Sequence, residues 1–103
     1  MTVSVEISND VATIRIVGSF NYSSASEFQQ VCDSVSPTVS RYRIDLAQAS
    51  MVDSAALGAL LNLRRRLADV DIDIDIDIEN PTLQVRKILE VSRMDKKFNI
   101  SAR

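Results

Sequence analysis

The stretch from Met51 to Leu67 reads MVDSAALGALLNLRRRL, and in it the polar residues Asp53 and Ser54 are followed at once by apolar residues at helical spacing. A helix that begins at or just after Asp53 turns by about 100° per residue. Its apolar residues then gather in one sector, which consists of Ala56, Leu60, Leu63 and Leu67 with Leu57 and Ala59 on its flanks. The spacing predicts an amphipathic helix with one side on a hydrophobic core.

The opposite side of this helix carries an unusual set of residues, namely Ser54, Gly58, Leu61 and Arg65. A side that faced only solvent would more often carry a charge at each of these places. Small residues around one apolar side chain instead allow another protein to approach the helix closely. We therefore expect Gly58, Leu61 and Arg65, together with Asp53, to form a partner-binding surface.

Two interpretations apply to the start of the helix. Either Asp53 or Ser54 can accept a hydrogen bond from an unpaired backbone N–H group of the first turn and so cap the helix. Ser54 is also a candidate phosphorylation site. A phosphate there lies near the positive end of the helix dipole, while its charge of roughly −1.5 to −2 disrupts an apolar contact on the exposed side. The sequence leaves both interpretations open, and one residue can combine them.

The residues from Asp53 to Gly58, DSAALG, follow a predicted strand and open a leucine-rich helix. They resemble the signature Asp-Ser-(Ser, Thr or Ala)-(Gly or Ala)-Leu-Gly of STAS domains of the anti-sigma-factor antagonist type. The resemblance implies that Ser54 is the phosphoacceptor. It also implies that the unphosphorylated protein binds an anti-sigma factor or a related serine kinase of the histidine-kinase-like ATPase class. That kinase would phosphorylate Ser54 with ATP, and a PP2C-type phosphatase would reset the switch.

The N-terminal residues predict a β-hairpin. Apolar residues alternate with polar ones on both sides of Asn9-Asp10, at Val3, Val5 and Ile7 and again at Ala12, Ile14 and Ile16. In the family that the chain resembles, the next segment commonly reads Gly, a variable residue, a large apolar residue and Asp. Here the segment runs from Gly18 to Asn21, and Asn21 takes the place of the acid. Asn21 keeps hydrogen-bonding capacity without the charge, and it is a further candidate partner-binding residue.

A capping-box sequence from Ser24 to Glu27 predicts the start of a second helix. Its apolar stripe consists of Phe28, Val31, Cys32 and Val35, and the helix is expected to end near Ser36-Pro37. Because Cys32 lies on this stripe, it is interpreted as a buried structural thiol rather than a reactive one. A third strand is predicted where Tyr42, Ile44 and Leu46 alternate with Arg41, Arg43 and Asp45.

The segment from Val70 to Ile78 alternates strictly between apolar residues and aspartate. This pattern predicts a strand with one buried side and one solvated acidic side, where repulsion discourages edge pairing. A calcium loop is rejected because its turn glycine and closing glutamate are missing, and weak binding of a divalent ion is the less favoured alternative to a solvated acidic side. Asn80-Pro81 predicts a cap and a helix with the apolar stripe Val85, Ile88 and Leu89, and Phe98 and Ile100 are expected to supply a last strand or core contact.

The expected fold is a single STAS-like α/β domain over residues 1–103. In it, a small mixed β-sheet of four to five strands packs against three to four helices. The chain has 103 residues, of which 46% are hydrophobic. This length suits one domain with a modest core and leaves no room for two.

Composition and charge narrow the possible functions. A net charge of −2 without a basic stripe disfavours nucleic-acid binding. The sequence has no histidine and no glycine-rich phosphate loop, so histidine-based triads, histidine-rich metal sites and the usual nucleotide sites are excluded. We therefore expect no enzymatic activity, no cofactor and no metal. A single cysteine, no signal-peptide pattern and no long apolar run predict a cytoplasmic protein that does not bind membranes.

A phosphorylation switch is not the only function compatible with these residues. A constitutive scaffold would dock a partner through the same helix and would keep its binding in a Ser54→Ala variant. An accessory domain of a transporter is disfavoured because no membrane segment is predicted. The phosphorylation state of Ser54 separates the switch from the scaffold.

Overall fold

The computed structural model describes residues 2–36, 38–70 and 74–101, without the side-chain surroundings of Thr2 and Val70. Its strands are β1 (Thr2–Ser8), β2 (Val11–Phe20), β3 (Arg41–Asp45), β4 (Ala49–Val52), β5 (Asp75–Glu79) and β6 (Asn99–Ser101). Its helices are α1 (Tyr22–Asp33), α2 (Ser54–Val70), α3 (Leu83–Val91) and a short 3-10 helix (Met94–Lys96). No helix within these ranges is long and apolar enough to cross a membrane.

The strands form one mixed sheet in the order β1-β2-β3-β5-β6. Strands β1 and β2 are antiparallel, and the pairs from β2 onward are parallel. The second half of β2 leaves β3 and pairs with β4 instead, with a shift of register after Gly18. Gly18 has a φ of 92°, a backbone conformation that suits glycine. The predicted α/β class with a mixed sheet and helices is confirmed, and β4 is the strand beyond the expected number.

The predicted core and hairpin are confirmed. Asn9 and Asp10 both have positive φ, 50° and 67°, as a two-residue type I′ turn requires. On β2 the alternate residues Ala12, Ile14 and Ile16 are fully buried. The apolar side of α2 is buried on the same core, through Ala56, Leu60 and Leu63, with Leu57, Ala59 and Leu67 partly buried around them. Phe98 is buried just before β6, as expected for a final core contact.

Two helix starts differ from the prediction. Asn21, not Ser24, caps α1, and Ser24 is the third helical residue, whose hydroxyl accepts from the Asn21 backbone N–H group. Helix α3 begins at Leu83 with Thr82 as its cap, because Asn80 adopts a positive φ of 58° and turns the chain before the helix. In both cases the predicted cap lies two or three residues from the observed one and is also a residue with a side-chain hydrogen-bond acceptor. Helix α1 ends at Asp33, earlier than expected, and Pro37 lies outside the described residues.

The acidic strand is shorter and better neutralised than its sequence predicts. Val70 belongs to α2, residues 71–73 lie outside the described ranges, and β5 begins at Asp75. Strand β5 lies between β3 and β6, so its aspartates do not protect a sheet edge. Arg41 on β3 forms ion pairs with Asp75 and Asp77, and Arg43 Nε lies 3.5 Å from Glu79 Oε2. Cross-strand pairing therefore offsets the expected repulsion.

Candidate functional site

The candidate site lies where two parallel strands end beside each other and each leads into a helix. Phe20 of β2 pairs with Val52 of β4. The next residue after β2 is Asn21, which caps α1, and the next residue after β4 is Asp53, which precedes α2. The Asp53 backbone N–H donates to the Phe20 carbonyl oxygen at 3.1 Å. The N-termini of α1 and α2 are thereby held at one edge of the sheet.

Asp53 joins these two helix N-termini through its carboxylate. Its Oδ1 accepts from the Ala56 backbone N–H at 2.9 Å, which caps α2. Its Oδ2 accepts from the Tyr22 backbone N–H at 3.2 Å, which belongs to the first residue of α1. The structure thus resolves the open question of the cap in favour of Asp53, and it assigns this residue a second contact that links two helices.

Asn21 uses its side-chain oxygen within the protein. Oδ1 accepts from the backbone N–H groups of Ser23 at 3.0 Å and Ser24 at 3.3 Å. The buried Ser24 hydroxyl lies 3.1 Å from the Ser19 carbonyl oxygen and donates to it. Asn21 therefore performs the capping that an aspartate would also perform. The residue after it, Tyr22, is the one whose backbone N–H donates to Asp53.

Ser54 is the first residue of α2 and is exposed, and its hydroxyl forms no hydrogen bond to any residue in the described ranges. Gly58 and Arg65 are exposed further along the helix, and Leu61 is 36% exposed. A Cβ atom added at Gly58 would meet nothing within 4 Å. These four predicted residues of α2 therefore lie together on one open side of the helix, and none of them is needed to fill the core.

A groove of about 600 Å³ between α1 and α2 continues this side. Gly58, Ala59 and Ala55 line it from α2, and Tyr22 and Ser26 line it from α1. Tyr22 is 80% exposed. The sequence did not indicate the contribution of α1, because which of its residues face α2 depends on how the two helices pack.

The single cysteine lies away from this surface. Cys32 on α1 is buried, and burial raises the pKa of its thiol to about 12. Since the thiolate is the reactive form, the thiol is unreactive near neutral pH. The interpretation of Cys32 as a structural thiol is confirmed.

Structural comparison shows the fold of anti-sigma factor antagonists. An anti-sigma factor antagonist from Mycobacterium paratuberculosis has a TM-score of 0.87 at 18% identity, over 99% of this chain and 86% of that one. The anti-sigma factor antagonist SpoIIAA of Bacillus, in its unphosphorylated form, has a TM-score of 0.76 at 15% identity, over 99% of this chain and 89% of that one. At these identities the likeness establishes the fold alone.

Sequence comparison establishes the family. A STAS-domain-containing protein of Pseudomonas aeruginosa (strain UCBPP-PA14) is 37% identical over 89 residues, which cover 86% of each chain. The family model described as the Mlab STAS domain matches residues 3–100. With its strand-to-helix junction at Asp53 and Ser54, this chain belongs to the STAS domain family.

Proposed function

We propose that this protein is a phosphorylation-controlled interaction switch. Unphosphorylated, it binds an anti-sigma factor or a related serine kinase of the histidine-kinase-like ATPase class. The contact surface is the exposed side of α2, formed by Gly58, Leu61 and Arg65 and completed by Asp53 and Asn21. Phosphorylation of Ser54 ends the interaction, and a PP2C-type phosphatase restores it. The protein itself performs no catalysis in this scheme.

The position of Ser54 carries the proposal. Its side chain is exposed at a helix N-terminus and has no hydrogen-bond partner in the described part of the chain. The capping that such a serine would often provide comes from Asp53 instead. A kinase can therefore reach the hydroxyl without first breaking a contact that holds α2 in place.

Electrostatics favours loss of binding on phosphorylation. The phosphate would add a charge of roughly −1.5 to −2 beside the Asp53 carboxylate, which already occupies the N–H groups of Ala56 and Tyr22. Arg65 is eleven residues along the helix from Ser54, about 16 Å at 1.5 Å per residue, which exceeds the Debye length of about 8 Å at physiological salt. The α2 arginines are therefore too far along the helix to neutralise the phosphate, so a partner that packs against Leu61 would have to cover a charge that α2 does not compensate.

Known relatives of this fold are compatible with such a scheme. SpoIIAA, named as an anti-sigma factor antagonist, has been solved in both unphosphorylated and phosphorylated forms, with TM-scores of 0.76 and 0.74 to this chain. The same architecture therefore accommodates a phosphorylated state in that protein. For the present chain, support for a phosphorylated state comes from the exposed position of Ser54 at the start of α2.

Peptide-level mass spectrometry of the protein from its own cells, under growth and under stress, tests the proposal. Trypsin releases the peptide from Ile44 to Arg64, which contains two serines, Ser50 and Ser54. Fragment ions must therefore place the phosphate. We expect it on Ser54, with an occupancy that changes with condition, and none on Ser50, which is also exposed and serves as an internal control.

A Ser54→Ala chain expressed in the same cells is the matched control and should carry no phosphate on this peptide. If Ser54 stays unmodified in every condition, and also after incubation with ATP and each candidate cognate kinase, the switch is wrong. Binding that persists in Ser54→Ala and is unaffected by growth condition would then identify a constitutive scaffold.

A further inference from the structure

The edge strand β1 offers a second interaction surface, unrelated to Ser54. We propose that the protein forms a two-fold symmetric dimer in which β1 pairs antiparallel with β1 of a second copy. Strand β1 is the end strand of the sheet, and within the described residues only β2 pairs with it. Strand β1 contains no residue of the proposed switch surface, so the dimer and the switch can each fail alone.

Strand β1 lacks the features that usually protect an exposed edge. Its pairing with β2 runs without a bulge from Thr2 to Ser8, and it contains no proline or lysine. Its one charged residue is Glu6. Val5 and Ile7 are 38% and 51% exposed although they occupy the core side of the sheet opposite Ile14 and Ala12. A long edge with exposed apolar side chains invites another strand.

The hairpin determines which backbone groups are available for pairing. A two-residue turn makes Ser8 and Val11 a hydrogen-bonded pair, and hydrogen-bonded and non-hydrogen-bonded pairs then alternate along the ladder. The N–H and C=O groups of Val3, Val5 and Ile7 therefore point away from β2. These three residues, whose side chains are all apolar, present the free edge.

Only one two-fold register uses all three residues. Centring the axis on Val5 places Val5 opposite its own copy and Val3 opposite Ile7, and it sets Glu6 opposite Ser4 on the other side of the sheet. Centring on Ser4 pairs Val3 with Val5 but sets Ile7 opposite residue 1, outside the described ranges, so it does not bring the three residues together. Centring on Glu6 sets two carboxylates opposite each other, which is unfavourable. The edge is thus self-complementary in backbone pairing, in apolar contact and in charge.

In this register the partner of the free edge is β1 of a second copy of the chain. The same patch serves both copies, so the contact closes as a dimer instead of growing into a fibre. Each Glu6 keeps its own Arg15, whose Nη1 lies 3.9 Å from Glu6 Oε1, while it faces a neutral serine across the interface.

Two lysine substitutions in neighbouring positions test the register on the full-length protein. Val5→Lys places two ammonium groups at the axis and should convert the dimer to monomer. Ser4→Lys places each lysine opposite Glu6 of the other copy, although also beside Arg15 of its own β2, and should leave the dimer intact. Sedimentation and light scattering over a concentration series measure the mass of each variant, and circular dichroism checks the fold.

A second measurement remains informative if Val5→Lys does not fold. In the wild-type protein, amide hydrogen exchange at Val3, Val5 and Ile7 should slow as protein concentration rises, while the exchange of α3 amides stays constant. A wild-type protein that is monomeric up to roughly millimolar concentration, or a dimer that both lysine variants preserve, would overturn the proposal. Concentration-independent exchange at the three edge amides would overturn it as well.

Discussion

The two sides of α2 differ in what they contribute to the molecule, although they share one helix. Leu60 is fully buried, whereas its neighbour Leu61 is 36% exposed. Ala56 and Leu63 continue the buried side, and Gly58 and Arg65 continue the exposed one. The buried side holds the fold together, so its residues are constrained by packing. The exposed side has no such constraint, and we propose that contact with another protein accounts for its unusual composition.

The largest effect should come from truncating the buried side. We expect Leu60→Ala to lower the free energy of unfolding by about 2–5 kcal/mol, because it removes a fully buried side chain and leaves a cavity. Leu61→Ala is the matched control, since it makes the same chemical change one residue away. It should lower the free energy of unfolding by less than about 0.5 kcal/mol. Urea unfolding followed by circular dichroism measures both.

Equal losses of stability in the two leucine variants would contradict the division of α2 into a structural and a free side. Loss of partner binding in Leu61→Ala at nearly unchanged stability would support this division. Such a result would show that the Leu61 side chain contributes to partner binding and not to the stability of the fold.

The next effect should appear at the start of the helix. Asp53→Ala removes the cap of α2 and the contact to the Tyr22 N–H group, so we expect a loss of about 1–2 kcal/mol in the free energy of unfolding. Ser54→Ala should change it by less than about 0.5 kcal/mol, because the hydroxyl has no partner in the described residues and alanine favours helix. A large loss in Ser54→Ala would show that the serine has a structural role.

Much of the difference between the two sides of α2 could be predicted from the sequence. The helical spacing of Ala56, Leu60 and Leu63 gave the buried side of α2, because one period governs both the pattern and the packing. Strand β4 was missed because its inner residues, Ser50 and Met51, are both exposed and show no alternation. Local pattern predicts elements that bury one regular stripe, and it fails for short strands held mainly by backbone pairing.

Contacts between distant residues were the other part that the sequence did not indicate. The bond from Tyr22 to Asp53 depends on the parallel pairing of β2 with β4, and the pairing of Arg41 with Asp75 and Asp77 depends on the register of β3 with β5. Neither register follows from the residues alone. The acidic strand therefore seemed more repulsive in the sequence than it is in the folded protein.

After the losses at Leu60 and Asp53, the third and smallest of the main effects is expected at Gly58, and it should be the most informative about function. Gly58→Ala places a methyl group where nothing lies within 4 Å, and it replaces a flexible residue inside a helix. We expect a gain of about 0.5–1 kcal/mol in the free energy of unfolding. If a partner approaches the helix closely at this point, the methyl group should also weaken binding, on the order of tenfold. Because the variant is more stable, weaker binding to the kinase or anti-sigma partner identified through Ser54 could not result from unfolding. Unchanged affinity, measured by titration calorimetry, would remove Gly58 from the contact surface and shift it toward Leu61 and Arg65.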